Sequence, residues 1–205
     1  MKTKVCIISI IASHYRKLIY QLLDREFDTT FIFGQNKTTV KELDLTLLHN
    51  TNKVRNRTIG PMYYQPKTSG MVKDCDIIIN DLGIFCLTSW LIMILAKFRH
   101  QKMITWGHGW YGRENWGKRL LKRMYYTLTD DNLIYGNYAK NLMVENGIPD
   151  RKLHVIHNSL DYDKQLMLRN ELKPLEIYKH HFKNDNPTIC FIGRLTTVKK
   201  INQII

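Results

Sequence analysis

An arginine and a lysine close to the end of the chain have the residue types and the spacing to bind a phosphate group. They follow Thr188–Ile192, whose β-branched and aromatic residues come directly after a proline and predict a short buried strand. Gly193 then permits a tight turn at the carboxyl end of that strand, where ligands of parallel α/β sheets bind. The guanidinium of Arg194 and the ammonium group of Lys199 suit phosphate oxygens there. The alternative is that Arg194 only pairs with a carboxylate on a domain surface.

A histidine between two glycines follows another predicted strand. The strand covers Lys102–Trp106, and His108 comes after it with a glycine on each side. Glycines at a strand end let the backbone and the ring approach a ligand closely, so His108 is a candidate site residue. A structural or solvated histidine explains the same pattern equally well.

The polar residues around the strand predicted at 153–156 have a weaker connection to a site. Asn158 and Asp161 are expected to cap the next helix, with a role in the site as the second possibility. His154 and His157 are three residues apart, which in a strand places them on opposite faces. We therefore expect no metal site there.

Strands and helices alternate along most of the chain. Mainly apolar strands are predicted at 4–11, 29–33, 76–80, 102–106, 132–135 and 153–156, and helices at about 15–26, through 90–95, and at 116–128 and 138–146. This alternation predicts an α/β fold with a doubly wound, Rossmann-like parallel sheet that is covered on both faces. The span 35–73 is the least regular, although the alternation of Leu43, Leu45 and Leu47 indicates a strand.

The 205 residues are enough for one well-buried domain and part of another. We assign residues 1–170 to a first α/β domain, 171–186 to a linker, and 187–205 to the first strand and helix of a second Rossmann-like domain. An amphipathic helix is predicted to begin near Ile201, and no strand follows it. We therefore expect the second domain to be truncated and the chain to be a fragment.

Four segments resemble, in order, retaining glycosyltransferases of family 4, which have the GT-B architecture of two Rossmann-like domains. The segments are Ile104–Gly109, similar to the family's His-Gly loop; Ile134–Ile148, similar to the helix before the closing strand; Val155–Asp161, similar to the segment that closes the first domain; and Phe191–Lys199, similar to the donor-site motif. Together they span about half of the chain. Their order and separations, more than any one of them, carry the resemblance.

The resemblance implies an enzyme that transfers a sugar, with retention at the anomeric carbon, from a nucleotide-sugar donor to a glycan or lipid-linked acceptor in cell-surface polysaccharide synthesis. Gly193, Arg194 and Lys199 would bind the donor diphosphate and stabilise its growing negative charge without a metal ion or cofactor. His108 would contact the donor sugar, and Asn158 would belong to the same donor site.

The sequence departs from the family pattern at several points. Ser159 and Lys200 stand where the family has glycine, and the pair of spaced glutamates that holds the donor in the family's second half is missing. We therefore expect this chain alone to bind nucleotide sugars weakly and to turn none over. A catalytically inactive remnant is one alternative. A basic nucleic-acid-binding module is another, although the sequence has no zinc-finger, helix-turn-helix or aromatic RNA-binding signature.

Positive charge dominates the composition, with 31 lysines and arginines against 18 aspartates and glutamates, a net charge of +13. Such an excess favours polyanionic partners, and a solvated basic surface explains it equally well. The helix predicted at 116–128 interleaves apolar residues with Lys118, Arg119, Lys122 and Arg123. It either lies on an anionic bilayer near a lipid-linked acceptor or is a solvated helix with one apolar face.

The cysteines and the apolar runs predict the location of the protein. Cys6, Cys75, Cys86 and Cys190 lack CxxC spacing, and we interpret them as reduced residues of a cytosolic protein. No apolar run reaches the roughly 20 residues of a membrane span. We expect a cytoplasmic protein, with peripheral contact at the inner face of the membrane as a further possibility.

Overall fold

The structure, a computed structural model, describes residues 2–35, 40–158, 161–173, 176–193 and 195–203. The chain divides into two compact units, Met1–Asp161 and Tyr162–Ile205. The assignment of residues 1–170, 171–186 and 187–205 to two domains and a linker stays a prediction.

The first unit is built on a seven-stranded sheet in which every neighbouring pair of strands is parallel. Its strands are β1 (Lys4–Ser9), β2 (Asp28–Gln35), β3 (Thr51–Arg55), β6 (Ile77–Asn80), β7 (Lys102–Gly107), β8 (Asp131–Ile134) and β9 (Leu153–Val155), while β4 (Arg57–Ile59) and β5 (Met62–Tyr64) form a separate antiparallel pair. The spatial order is β3-β2-β1-β6-β7-β8-β9. The chain thus winds outward from β1 to β3 and then from β6 to β9, which confirms the doubly wound parallel sheet.

Helices cover both faces of this sheet. The helices of the first unit are α1 (Lys17–Glu26), α2 (Thr68–Met71), α3 (Leu87–Phe98), α4 (Trp116–Leu128) and α5 (Asn137–Glu145). Cys6 and Ile8 of β1 belong to the apolar core that α3, α4 and α5 cover, whereas Val5 and Ile7 belong to the core under α1. Because successive side chains of a strand point to opposite faces, the two cores lie on opposite sides of the sheet.

None of the helices in the described part of the chain is long and apolar enough to cross a membrane.

The strand predicted around Leu43–Leu47 is wrong. Leu45–Leu47 form a 3-10 helix, and the carboxylate of Asp44 accepts a hydrogen bond of 3.1 Å from the backbone N–H of Thr46. An aspartate that binds the backbone two residues on stabilises a turn instead of an extended strand. Strand β3 and the β4–β5 pair follow within the irregular span 35–73, and the sequence did not predict them.

The second unit contains α6 (Tyr162–Glu171), α7 (Ile177–Phe182) and two short 3-10 helices at Thr197–Lys199 and Ile201–Gln203. The strand predicted at Thr188–Ile192 is wrong, because the described residues 185–193 contain no strand. A strand needs a neighbour that pairs its N–H and C=O groups, and the described residues of this unit form none. The longer helix predicted from Ile201 is a single 3-10 turn as far as the structure describes it.

The cysteine prediction is wrong for two of the four residues. Cys6 of β1 and Cys75, which lies just before β6, form a disulfide with Cα atoms 6.0 Å apart. The two residues are 69 positions apart in the sequence, and they meet because β1 and β6 are neighbours in the sheet. Cys86 is a buried free thiol and Cys190 an exposed one.

Candidate functional site

The carboxyl ends of β1, β6, β7 and β8 meet at one edge of the sheet. The winding of the chain reverses between β1 and β6, and ligands of open α/β sheets bind in the crevice at such a switch point. Asp81 directly follows β6, and Tyr135 directly follows β8. Arg16 reaches the same edge from a 3-10 helix between β1 and α1.

Arg16 and Asp81 form a largely buried ion pair at this edge. Nη1 of Arg16 donates to Oδ2 of Asp81 at 2.6 Å, and the Ser9 hydroxyl donates to the same oxygen at 2.9 Å. Nη2 of Arg16 donates to the hydroxyl oxygen of Tyr135 at 2.5 Å, and the guanidinium lies 4.5 Å from the centroid of the Trp106 ring. These contacts fix the guanidinium, which in turn fixes one oxygen of the carboxylate.

Burial and pairing shift the pKa values of both residues. Burial disfavours the charged form of Arg16, but the carboxylate of Asp81 outweighs this and raises the pKa of Arg16, which stays charged. Burial raises the pKa of Asp81, while Arg16, Ser9 and His108 oppose that rise. Oδ1 of Asp81 accepts no hydrogen bond from any residue that the structure describes. One carboxylate oxygen is thus held by the protein, and the other is available to a ligand.

The loop after β7 places His108 beside this ion pair. The exposed His108 ring meets the Tyr135 ring edge-on, with centroids 4.8 Å apart, and lies 5.8 Å from the ring of Tyr111. Gly109 has a φ of +69°, and a Cβ atom there would lie 2.9 Å from Sδ of Met143 in α5. The positive φ favours glycine, and any larger residue would require the Met143 side chain to move. The glycine therefore sets the path of the loop and the position of His108.

A second buried ion pair holds the same loop against α4. Nζ of Lys122 donates to Oε1 of Glu114 at 2.6 Å and to the carbonyl oxygen of Gly109 at 2.7 Å. The backbone N–H of Tyr111 donates to the same Oε1 at 2.9 Å. Lys122 was expected on the solvated or lipid-facing side of α4, and that expectation is wrong, because the side chain points into the loop and is buried.

The charge state of this second pair follows from its contacts. Burial opposes ionisation of Glu114, but the hydrogen bonds from Lys122 and Tyr111 prevail and lower the pKa of Glu114 to about 2. Burial lowers the pKa of Lys122, and Glu114 opposes that change. The Nζ–Oε1 distance is that of a charge-assisted hydrogen bond, so we treat both groups as ionised at neutral pH.

A cavity of about 260 Å³ opens at the ends of β6 and β7. It is lined by Asn80, Asp81, Gly83, Ile84, Phe85, Thr105, Trp106, Gly107, His108, Gly109, Tyr111, Lys118, Lys122, Tyr125 and Tyr126. The lining is mainly apolar and aromatic, with charged or titratable side chains that include Asp81, His108, Lys118 and Lys122. Pockets for drug-sized ligands measure roughly 300–1,000 Å³, so this cavity suits a ligand about the size of one ring.

Of the predicted site residues in the described part of the chain, only His108 lines this cavity. Asn158 is exposed and follows β9, the edge strand of the sheet. Gly193 and Lys199 are exposed in the second unit, and Arg194 lies outside the described residues. The phosphate site and the roles of His108 and Asn158 stay predictions.

Sequence reasoning missed most of the residues that build the site. Asp81 directly follows a predicted strand, and this was the signal that also pointed to His108. Arg16 had no comparable signal, because its partner Asp81 lies 65 positions away. Glu114 lies in a loop, and nothing in its neighbourhood indicated that it was buried.

The comparisons with known proteins rest on structure alone, since no protein-family model and no curated protein sequence matches this chain. The structure of HepE from Anabaena with UDP and glucose has a TM-score of 0.57 and 11% identity, covering 78% of this chain and 46% of HepE. The lipopolysaccharide outer core galactosyltransferase WaaB has a TM-score of 0.51 and 13% identity, covering 77% of this chain and 46% of WaaB. UDP-N-acetylglucosamine 2-epimerase from Rickettsia bellii has a TM-score of 0.53 and 15% identity, covering 88% of this chain and 52% of the epimerase.

These similarities define a class of fold. The first unit has the α/β, Rossmann-like fold of GT-B-type enzymes, with a mostly parallel sheet between helices. At these identities the likeness establishes the fold only. The chain spans about half the length of the solved structures it matches.

Proposed function

We propose that this chain is part of a nucleotide-sugar-utilising GT-B enzyme, a glycosyltransferase, and that the cavity at the ends of β6 and β7 binds a sugar of the acceptor. The observation that carries this proposal is the carboxylate of Asp81 at the switch point of the sheet. Arg16 and Ser9 hold one of its oxygens, and no described residue donates to the other. A carboxylate in this state is prepared to accept a hydrogen bond from a hydroxyl group.

The cavity supplies the groups that a sugar ring needs. A sugar has hydroxyl groups around its edge and C–H groups on its faces, so it requires both polar partners and flat apolar surfaces. Asp81 is a hydrogen-bond acceptor, Lys118 is a donor, and Phe85 and Tyr111 contribute aromatic rings. Such a mainly apolar lining with a few placed polar groups is typical of small-molecule sites.

In the proposed transfer, Asp81 orients the acceptor hydroxyl that is to be glycosylated. The ion pair with Arg16 fixes the carboxylate before the sugar arrives, and a prepositioned partner lowers the entropic cost of aligning two reactants. His108, at the rim of the same cavity, contacts the donor sugar. Arg194 and Lys199 bind the donor diphosphate and stabilise the charge that grows on it as the glycosidic bond breaks.

Several finer assignments rest on the sequence resemblance. They are membership of glycosyltransferase family 4, retention at the anomeric carbon, independence of metal ions, a glycan or lipid-linked acceptor, and a place in polysaccharide synthesis. No group of three or more His, Cys, Asp or Glu side chains in the described ranges is arranged to hold a metal ion.

The solved structures support a nucleotide-sugar donor. HepE was solved with UDP and glucose and also with UDP-glucose, and WaaB is a galactosyltransferase. Since the chain spans about half of each, the donor, the acceptor and the activity itself are part of the proposal.

A UDP-sugar epimerase is the second candidate. The Rickettsia bellii 2-epimerase covers 88% of this chain, more than HepE or WaaB does. An epimerase also needs ionisable groups around one sugar, and Asp81 and His108 line the same cavity. This enzyme would bind a UDP-sugar and would have no separate saccharide acceptor.

Ligand-observed NMR on the chain distinguishes these functions. The chain is mixed with a library of oligosaccharides and, separately, with UDP-sugars, and saturation transfer identifies what binds. A glycosyltransferase acceptor site predicts binding of saccharides that carry no nucleotide. Binding of UDP-sugars alone favours the epimerase, and binding of neither class contradicts the proposal.

Two matched variants then test whether Asp81 is the recognition group. Asp81→Asn removes the charged hydrogen-bond acceptor and is expected to weaken saccharide binding about tenfold or more. Asp76→Asn changes the same residue type at the opposite end of β6, where the side chain is exposed and accepts from the backbone N–H of Lys4. The Asp76 variant should bind as the unaltered chain does. Equal binding by the Asp81 variant removes the central support for the proposal.

A further inference from the structure

The side of α3 that faces away from the sheet is apolar along its whole length. Leu87, Leu91, Ile94 and Phe98 recur at helical spacing and are all exposed, Ile94 to 52% and Phe98 to 80%. The opposite side of α3 is buried in the core. Surface helices normally carry polar residues on the outer side, and a helix that is apolar all round is normally covered on every side.

The neighbouring helix α4 carries a second exposed apolar row. Trp116, Leu120 and Met124 are spaced four residues apart and are exposed to 82%, 53% and 50%. Arg119 and Arg123 are exposed beside them on the same helix. The outer side of α4 thus combines an apolar row with two guanidinium groups.

The two helices lie side by side on one face of the sheet. The Trp90 ring of α3 packs edge-on against the Tyr125 ring of α4, with centroids 5.2 Å apart. At the start of α4, Nζ of Lys118 lies 5.6 Å from the centroid of the Phe85 ring, just before α3. Neither helix contains an aspartate or a glutamate. We call their apolar rows, together with Arg119 and Arg123, the α3–α4 surface.

We propose that the α3–α4 surface docks on an anionic phospholipid bilayer. Apolar helix faces insert at the boundary between headgroups and acyl chains, and flanking arginines bind lipid phosphates. An exposed tryptophan such as Trp116 suits the same boundary, where aromatic side chains concentrate. The absence of acidic residues from both helices and the net charge of +13 add electrostatic attraction to an anionic surface.

A second copy of the chain fits this surface less well. Two copies that meet through the same patch would bring four arginines, Arg119 and Arg123 of each copy, into one interface, and neither α3 nor α4 supplies an acidic residue to pair with them. Like charges at such an interface oppose association, and the overall positive charge adds to that repulsion. A bilayer of anionic lipids neutralises both the arginines of this surface and the overall positive charge of the chain.

This surface differs from the membrane helix that the sequence suggested. Lys122 is buried against Glu114 and is unable to contact lipid. The apolar row of α3, which the sequence analysis did not identify, supplies much of the proposed contact. The inference does not depend on the sugar chemistry proposed above.

Co-sedimentation of the whole chain with vesicles tests the proposal. Vesicles of phosphatidylcholine alone are compared with vesicles that also contain phosphatidylglycerol, at about 0.15 M salt, where charges more than about 8 Å away are largely screened. The chain is expected to bind the anionic vesicles and to bind less as the salt concentration rises. Equal binding to neutral vesicles, or no binding to anionic ones, overturns the proposal.

Matched pairs of variants locate the contact. Leu91→Gln with Ile94→Gln changes the apolar row, and Leu18→Gln with Leu22→Gln is the control on α1, where both residues are also exposed. The α3 variant should bind anionic vesicles at least about tenfold more weakly, since two apolar side chains no longer insert. The α1 variant should bind as the unaltered chain does. An equal loss in both variants overturns the proposal.

The charges are tested in the same way. Arg119→Glu with Arg123→Glu should also weaken binding at least about tenfold, because two cations that attract the anionic surface are replaced by two anions that it repels. Arg55→Glu with Arg57→Glu, a pair of exposed arginines at β3 and β4, changes the net charge equally and should have little effect. If vesicle binding fell equally in the Arg119/Arg123 and the Arg55/Arg57 variants, the attraction would be non-specific. That result would overturn the proposal of a defined docking surface.

Tryptophan fluorescence gives a second readout. Brominated lipids should quench part of the emission on binding, and Trp116→Phe should remove that quenched part. Unquenched emission on bound vesicles contradicts insertion of the α3–α4 surface. The chain could also form a dimer without lipid. If Leu91→Gln with Ile94→Gln abolished that dimer, a second copy and not a bilayer would cover this face, and the proposal would be overturned.

Discussion

Nη1 of Arg16 and Oδ2 of Asp81 lie 2.6 Å apart, although the two residues are 65 positions apart in the sequence. One follows β1 and the other follows β6, so the contact joins the two halves of the sheet at the point where its winding reverses. The same ion pair therefore contributes to the stability of the fold and to the geometry of the proposed sugar site.

Replacing the arginine of this pair should destabilise the chain strongly. Arg16→Met leaves the mostly buried carboxylate of Asp81 without its partner, and breaking a buried ion pair in this way typically costs about 3–5 kcal/mol. Arg25→Met is the control, since Arg25 pairs with Glu26 where the side chains are 70% and 59% exposed. Such a surface pair contributes about 1 kcal/mol or less. Urea unfolding measures both, and equal losses would show that the Arg16 pair is no more important than a surface pair.

The buried Glu114 should make the chain less stable in acid. Its pKa is about 2 in the folded chain against an ordinary value of 4.5. Between these values the unfolded chain binds more protons, so the free energy of unfolding is highest above about pH 5 and falls as the pH decreases toward 2. The difference between the two pKa values corresponds to about 3 kcal/mol.

Urea unfolding across this pH range checks that expectation. Glu114→Gln removes the titrating group and should flatten the acid part of the stability curve. Glu42→Gln is the control. Glu42 forms an ion pair with Lys53 in which the side chains are 39% and 43% exposed, and its replacement should leave the stability curve unchanged. A curve that keeps its full slope in the Glu114 variant would assign the acid sensitivity to other groups.

His108 should matter for binding and little for stability. Its ring is exposed, and its aromatic neighbours are the rings of Tyr135 and Tyr111, so His108→Ala should change the free energy of unfolding by about 0.5 kcal/mol or less. The same variant should measurably weaken the binding of a sugar in the cavity at the ends of β6 and β7, which His108 lines. A large loss of stability would instead support the structural interpretation of this histidine.

The strands that the sequence predicted are those that carry their own apolar signal. Ile77–Asn80 is an example, because its isoleucines identify a buried strand without reference to any neighbour. Strand β3 has the sequence TNKVR, in which only Val54 is buried, and local composition did not reveal it. Thr188–Ile192 shows the opposite error, a predicted strand that is not found. Its β-branched and aromatic residues favour a strand, but a strand needs a neighbour with which to pair.

The site was harder to predict than the fold because its contacts are long-range. His108 was found because its glycine neighbours and its strand end are adjacent in the sequence. Arg16 meets Asp81 only once β1 and β6 pair, so composition and spacing did not connect them. Lys122 was assigned to the wrong environment for a related reason, since its burial depends on the path of the loop that carries Glu114.

The central claim is that a sugar binds at the carboxyl ends of β6 and β7, and NMR titration of the ¹⁵N-labelled chain tests it most directly. The chain contains four tryptophans, of which Trp106 lines the cavity and Trp116 lies exposed at the start of α4. Adding a saccharide that binds should shift the indole signal of Trp106 and the amide signals of residues 107–109, leave the Trp116 indole unchanged, and have much less effect in Asp81→Asn. Shifts that cluster away from the cavity while the Trp106 signal stays fixed would contradict the account.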